Sequence, residues 1–324
     1  MTAPTFTLGQ LTDDTFRQLR GTSRDTVNML AGALDAPAAL TPETITLQNS
    51  LQGIVIGALL VVGDETMYVV DISNSTKQAS VIRGYDGTTP AVASIGALVS
   101  VDPPWTRKIV QDRIKDELRS WPPQVFAVRS IEAPIVNLQR GYDLGSISSS
   151  VEIIRLLTVT APEPPYIGDP GYWNFPGNNL ASQVWINYPY VYNPNADTSM
   201  FPSGRSVTLN GTAQPVANGN LHIVYAAPFD VDTSWTDSTD LIASVGLDSR
   251  WLDIVPLGAT ARLLRSISVR RAMLNVQGQS RDDQDVTMQA ILLAAQQYEN
   301  TRASRLSDAQ MQLMSDWPYR VSTY

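Results

Sequence analysis

The side chains that most often carry out chemistry in proteins are scarce in this 324-residue sequence. It has no cysteine and one histidine, His222. Without cysteine there can be no disulfide, thiolate metal site or cysteine nucleophile. His222 lies in a predicted strand, Leu221–Tyr225, and the sequence has no Gly-x-Ser-x-Gly motif, Walker A loop or dinucleotide fingerprint. We therefore predict a structural role for His222, no enzyme activity, no cofactor and no metal.

Carboxylates are concentrated around Trp235, where the sequence supplies Asp230, Asp232, Asp237 and Asp240. Such a group can bind calcium or form part of a carbohydrate site, although its spacing does not follow the EF-hand pattern. Aspartate, serine and threonine together are also typical of a solvated loop. We favour the solvated loop.

Aromatic residues collect in a second region, the proline-rich loops of residues 166–192, which include Trp173 and Trp185. These rings can stack on sugars, or they can supply the large rigid surfaces that protein interfaces use. We favour contact with a neighbouring subunit or a partner protein.

The C-terminus is also aromatic. Residues 315–324 follow a long predicted helix and form either a frayed end or an arm that docks into a pocket on a partner. The anchors of such an arm would be Trp317, Tyr319 and Tyr324.

Composition limits the class of protein. The net charge is −8, with 43% hydrophobic and 17% charged residues, so a folded core is expected and a DNA-binding surface is not. The longest apolar run, residues 54–62, is too short for a membrane span. The N-terminus has no secretory signal pattern, so assembly in the cytoplasm is expected.

Hydrophobic periodicity predicts helices in residues 10–34 and 105–121 and from Asp240 onwards, and short strands in 43–102 and 124–230. The predicted fold is α+β, a helical bundle interrupted by two β insertions: a small β module and a β-sandwich or barrel-like domain. The predicted domains are the bundle (1–42, 103–123 and 238–314), the small module (43–102), the sandwich-like insertion with aromatic loops (124–237) and the arm (315–324).

The small module carries the most informative motif. A strand with Glu65, Met67 and Val69 is followed by the segment from Val81 through Arg83-Gly84 to Gly87-Thr88, and then by Gly96-Ala97-x-Val99. Taken from the residues alone, the segment from Arg83 to Gly87 indicates a turn rather than a ligand loop. The whole order resembles a β module that recurs in virion proteins of tailed bacteriophages.

A second resemblance lies in the C-terminal helical part. The run from Trp251 to Leu264, with small residues at Gly258, Ala259 and Ala261, resembles a helix of phage head-to-tail adaptor (connector) proteins. Small residues permit close helix packing.

The resemblance implies a virion neck protein, assembled in the host cytoplasm as a homododecameric ring between the portal protein and the tail. DNA would pass through the lumen without specific binding, and the β modules would contact neighbours, a stopper or a tail terminator. The expected partner-binding residues are Trp251, Arg262, Arg265, Trp317, Tyr319 and Tyr324.

Two alternatives remain open. The principal rival among structural proteins is another virion component, such as a baseplate, tail or minor capsid protein, which would suit the β-rich middle. A carbohydrate-binding module is the alternative from another class, with Trp173, Trp185 or Trp235 as stacking residues.

Overall fold

The computed structural model describes residues 5–19, 26–51, 53–136, 139–145, 147, 151–162, 185–210, 220–232, 234–276 and 288–317. The chain divides into two compact units. Unit 1 combines Met1–Ser120, Thr233–Asp240 and Arg250–Arg305, and unit 2 combines Trp121–Asp232, Leu241–Ser249 and Leu306–Tyr324. In the described part, no helix is both long and apolar enough to cross a membrane.

Unit 1 contains a six-stranded antiparallel sheet that curls into a barrel-like module. Its strands are β1 (Thr26–Met29), β2 (Pro42–Thr46), β3 (Leu59–Val62), β4 (Glu65–Ser73), β5 (Gln78–Ile82) and β6 (Leu98–Val101), in the order β1-β6-β3-β4-β5-β2. The two edge strands meet just beyond their ends, where Ala31 N–H donates to Thr46 O and Gln48 N–H donates to Met29 O, each at 2.8 Å.

Alternation of side chains gives this barrel its core. In β3 and β5 every second residue is buried, as expected for strands with one face towards an interior. The interior is apolar, and its fully buried members include Leu30, Ile45, Leu60, Met67, Val81 and Val99.

Helices form the rest of unit 1: α1 (Leu8–Leu19), α2 (Arg107–Arg119), α3 (Ile254–Val276) and the first part of α4 (Met288–Asp316). Helices α1, α2 and α3 pack against one another. Thr106 caps α2, because its hydroxyl accepts a hydrogen bond from Ile109 N–H at 3.3 Å. Pro256 lies in the first turn of α3, where a missing N–H costs little.

Unit 2 contains two antiparallel sheets whose side chains share one core. Its strands are β7 (Ala127–Pro134), β8 (Gly141–Asp143), β9 (Arg155–Pro162), β10 (Trp185–Asn187), β11 (Tyr190–Asn193), β12 (Ser206–Leu209) and β13 (Asn220–Ala227). The sheet orders are β10-β9-β13-β7 and β11-β12-β8. Tyr142 and Val207 from the smaller sheet are buried together with Leu221 and Ile223 from the larger one.

The prediction of a helical bundle interrupted by β insertions is wrong. The described fold is mixed and dominated by strands in three antiparallel sheets. The predicted helix of residues 10–34 is helical only over Leu8–Leu19, and Thr26–Met29 is a strand that pairs with β6. A strand of four residues is too short to show a period, and its partner lies far along the sequence, so local pattern could not identify it.

Candidate functional site

The motif segment of the barrel forms a tight turn, as its residues predicted. Gly84, Asp86 and Gly87 all have positive φ angles, of 64°, 56° and 72°. A Cβ on Gly84 would lie 2.8 Å from Cδ of Pro90 and 2.9 Å from the carbonyl oxygen of Thr88. Both the backbone conformation and the space therefore require glycine at this position.

A buried ion pair lies under this turn. Arg83 is fully buried and donates from Nε to Oε1 of Glu65 at 2.6 Å and from one terminal nitrogen to Oε2 at 2.8 Å. Glu43 receives a further hydrogen bond from the other terminal nitrogen. The hydrogen bond with Glu65 raises the pKa of the Arg83 guanidinium above its usual value. The guanidinium is therefore permanently charged, and it cannot serve as an acid or base.

The same ion pair organises the neighbouring backbone. Glu65 accepts hydrogen bonds from the N–H groups of Gly84 and Ala91, at 3.1 and 3.0 Å, and Arg83 donates to the carbonyl oxygens of Asp35 and Ala91. A carboxylate and a guanidinium thus satisfy polar groups from three separate segments. Burial of this pair is tolerated because nearly every donor and acceptor has a partner.

Thr88 fixes the turn to strand β4. Its hydroxyl donates to the carbonyl oxygen of Tyr85 at 2.8 Å and accepts from Thr66 N–H at 3.0 Å. Hydrogen bonds therefore join Glu65 to Arg83 and Gly84, and Thr88 fastens the same turn to Thr66, the residue after Glu65. These contacts stabilise the barrel.

A second charged cluster lies among the helices of unit 1. Glu117 on α2 is fully buried, and its carboxylate receives hydrogen bonds from Arg262 Nε on α3, at 3.1 Å, and from Arg302 on α4. Both arginines also donate to Ser120 Oγ, at 3.0 and 3.2 Å. The carboxylate lies against Gly258, where any side chain would overlap it.

A cleft of about 270 Å³ opens beside Glu117 and is lined also by Ala261, Arg265 and Glu299. Arg265 and Glu299 form an ion pair of their own, so the charges that line the cleft largely neutralise one another. An ion-pair cluster of this kind ties helices together through charge-assisted hydrogen bonds. The cluster therefore has a structural role, in which it holds α2, α3 and α4 together.

Arg107 forms a third cluster in unit 1. It lies 2.7 Å from carboxylate oxygens of Asp13 and Asp64 and 2.9 Å from Asp237, so α1, the β3–β4 turn and the 234–240 segment all meet at α2. Burial, followed by a hydrogen bond with Asp237, raises the pKa of Asp64 above its usual value. Three carboxylates around one guanidinium leave an excess of negative charge.

The predicted partner-binding residues have different environments. Trp251 is 3% exposed and belongs to the core of unit 1, with Arg250 over its ring. Arg262 and Arg265 line the cleft beside Glu117. Trp317 follows the end of α4, and its N–H donates to Leu313 O at 2.8 Å. Tyr319 and Tyr324 lie outside the described residues.

The other sequence candidates do not converge on a site. Asp237 is paired with Arg107 and Gln111, and the Lys115 ammonium lies 5.7 Å from the centre of the Trp235 ring. His222 lies on β13, directly opposite Glu132 in the antiparallel register with β7. Trp173 and the side chain of Trp185 lie outside the described part, in which no group of three or more His, Cys, Asp or Glu side chains is arranged to hold a metal ion.

Sequence reasoning did not identify Glu117 or Arg302. Glu117 lay in the alternating charges of α2, where a buried carboxylate cannot be told from a solvated one. The available signal was the glycine at 258, since glycine within a helix often marks the close approach of another group. No protein-family model matches the sequence, and no curated protein shows significant similarity to it.

Proposed function

We propose that this chain is a virion structural protein of a tailed bacteriophage, a head-to-tail adaptor that forms a ring between the portal and the tail around the DNA channel. The observation that carries the proposal is the network under the barrel turn. Three of the residues that resemble the phage β module, Glu65, Arg83 and Gly84, are joined by hydrogen bonds to the Glu65 carboxylate. A fourth, Thr88, bonds to Thr66, the neighbour of Glu65 on β4. A shared motif made of mutually dependent structural residues indicates a shared module more strongly than scattered matches would.

The helical part offers related support. Gly258 belongs to the run that resembles adaptor helices, and its missing side chain leaves the space that the Glu117 carboxylate fills. A small residue that makes room for a side chain of a neighbouring helix supports the resemblance. In the proposed assembly, α4 and the residues after it contact portal subunits, and the barrel contacts neighbouring copies or the next ring of the neck.

Exposed apolar surface on the barrel is consistent with such contacts. Val92, Ile95 and Leu98 are 64–73% exposed, on a module that is otherwise well packed. Apolar side chains exposed in this way are typical of surfaces that bind proteins. The acidic net charge of −8 would also keep DNA from adhering as it passes.

Electron microscopy of the protein mixed with the portal ring from the same genome tests the proposal. We expect a symmetric collar of added density on one end of the portal, from which the copy number can be counted. An intact portal without added density, in a sample where the protein is folded, would contradict the adaptor role and favour a more distal tail component.

A further inference from the structure

The cleft beside Glu117 has more positive than negative side chains along its wall. Arg262, Arg265 and Arg302 line it together with only two carboxylates, those of Glu117 and Glu299, and all five residues belong to unit 1. Three guanidiniums against two carboxylates leave one positive charge in excess, in a chain whose net charge is −8. A cleft with this balance favours a guest that carries a single negative charge.

Two of the arginines have hydrogen-bond donors to spare. A guanidinium has five N–H groups, on Nε, Nη1 and Nη2. Arg262 and Arg302 each use Nε on the Glu117 carboxylate and Nη2 on Ser120 Oγ, and within the described residues neither Nη1 has an acceptor. The buried polar atoms that lack a partner lie elsewhere in this part of the chain, so both Nη1 atoms are open to solvent. They are available to a guest.

These two guanidiniums are held in place before any guest arrives. The carboxylate that binds them is fully buried against Gly258, and both side chains also share Ser120 Oγ, at 3.0 and 3.2 Å. A side chain that is already ordered loses little entropy when it binds. The Arg265–Glu299 pair is more exposed, so its guanidinium can exchange partners at small cost.

We propose that this cleft binds one carboxylate group, presented either by an acidic side chain of another polypeptide or by a small free acid. Planar guanidiniums that share their acceptors match the two oxygens of a carboxylate. The cleft of about 270 Å³ is smaller than the ~300–1,000 Å³ of pockets for drug-sized ligands, so it suits one small group. Gly258 and Ala261 in its wall leave room for an aliphatic stem. The site is independent of the adaptor role, because it concerns the protein by itself.

Binding can be measured on the arginine side chains themselves. The full-length protein is prepared with isotope-labelled arginine, and its Nε–H NMR signals are followed at constant ionic strength. The probe is N-acetylglutamate methylamide, which has one carboxylate, and the matched neutral probe is N-acetylglutamine methylamide. We expect saturable shifts of the Arg262, Arg265 and Arg302 signals with the first probe only, with a dissociation constant in the millimolar range because exposed ion pairs are weak.

The charge of the cleft can be changed without altering the buried carboxylate. Glu299→Gln raises the excess positive charge and should tighten binding about three-fold, whereas Arg265→Gln removes the excess and should weaken binding by about three-fold or more. Arg305→Gln is the matched control, since Arg305 lies on the same helix but pairs with Asp253 outside the cleft. Both cleft substitutions fall on a largely exposed ion pair, so folding should be preserved, as melting temperatures will check.

Acetate, as a third probe, separates the two sources of the carboxylate. Tighter binding of the glutamate probe assigns the site to an acidic side chain, and equal or tighter binding of acetate assigns it to a small free acid; either result supports the site.

Equal shifts with the glutamate and glutamine probes would overturn the proposal, and so would unchanged affinity in both cleft variants. Inorganic phosphate that binds more tightly than either carboxylate would overturn it as well. A protein that adds a collar to the portal but binds no carboxylate would reject this site alone, and the adaptor proposal would stand.

Discussion

The carboxylate of Glu117 occupies the space that a side chain at Gly258 would take: a Cβ there would overlap its Cδ and both of its oxygens. Glu117 is fully buried and lies on α2, whereas Gly258 lies on α3. The glycine therefore determines how closely a charged side chain can approach a neighbouring helix. Arg262 on α3 and Arg302 on α4 bind the same carboxylate. The missing side chain at Gly258 therefore allows Glu117 to hold three helices together.

Replacing Gly258 with alanine should destabilise the protein. Alanine favours a helix over glycine by about 1 kcal/mol, but an overpacked buried site costs about 1–3 kcal/mol, and displacing Glu117 also weakens two ion pairs. We expect a net loss of about 2 kcal/mol in the free energy of unfolding, measured by urea denaturation.

Two comparisons isolate the cause. Gly32→Ala places a Cβ where no atom lies within 4 Å, so its effect should stay within about 0.5 kcal/mol. In a Glu117→Ala background the obstacle is gone, and Gly258→Ala should become neutral or stabilising. A similar loss in both backgrounds would contradict the proposed overlap.

Removing Glu65, the buried partner of Arg83, should lower the free energy of unfolding far more than removing Glu43, the partly exposed partner. Glu65→Ala leaves the fully buried Arg83 without its bidentate partner, and it leaves the N–H groups of Gly84 and Ala91 without an acceptor. We expect a loss of about 3–5 kcal/mol, measured by chemical denaturation.

Glu43 provides the internal control for this experiment. Its side chain is 31% exposed, so solvent can replace part of its interaction with Arg83. Glu43→Ala should therefore cost about 1 kcal/mol or less. Equal losses for the two variants would show that burial does not determine the strength of this network.

The ionisation of Asp64 should contribute to the pH dependence of the free energy of unfolding. Its pKa is raised in the folded state, first by burial and then by the hydrogen bond with Asp237. A group with a raised folded pKa binds its proton more tightly when folded, so its contribution is fully present below the unfolded pKa of 3.8 and is lost as the pH rises through the folded pKa.

Asp64→Asn keeps a hydrogen-bond donor beside Asp237 and removes the charge. We expect the variant to match the original protein at about pH 3.5 and to exceed it in stability near pH 7, measured by thermal unfolding across pH. Asp64 is 65% exposed, so the gain should not exceed about 0.5 kcal/mol. Asp71→Asn, an exposed substitution on the same barrel, is the matched control. An Asp64→Asn variant that is less stable than the original protein at pH 7 would contradict the prediction.

Deleting residues 315–324 should abolish attachment to the portal without unfolding the protein. The deletion removes the last two residues of α4 and the aromatic residues after it, including Trp317, which is the predicted anchor within the described part. We expect an unchanged melting temperature and no collar in electron micrographs of the mixture with the portal. Unchanged portal binding with preserved melting would reject the arm as the anchor.

Part of this structure could be predicted from local pattern. The turn at Arg83-Gly84-Tyr85-Asp86-Gly87 was predicted because glycine at positive φ is a local requirement, and α2 was predicted because its period and its proline flanks are local as well. Helix α4 followed from its period, although its described bounds begin at Met288. In each of these elements the residues that determine the conformation are neighbours in the sequence.

The barrel and the charged clusters were decided by the tertiary structure. Strand β1 exists because it can pair with β6, and no property of Thr26–Met29 alone indicates that partner. The burial of Glu117 likewise depends on a glycine on another helix and on arginines from two helices. Composition and spacing could exclude cysteine chemistry and indicate turns, because those depend on residue type and neighbours. Which charges are buried depends on contacts between distant segments, and only the folded chain determines those.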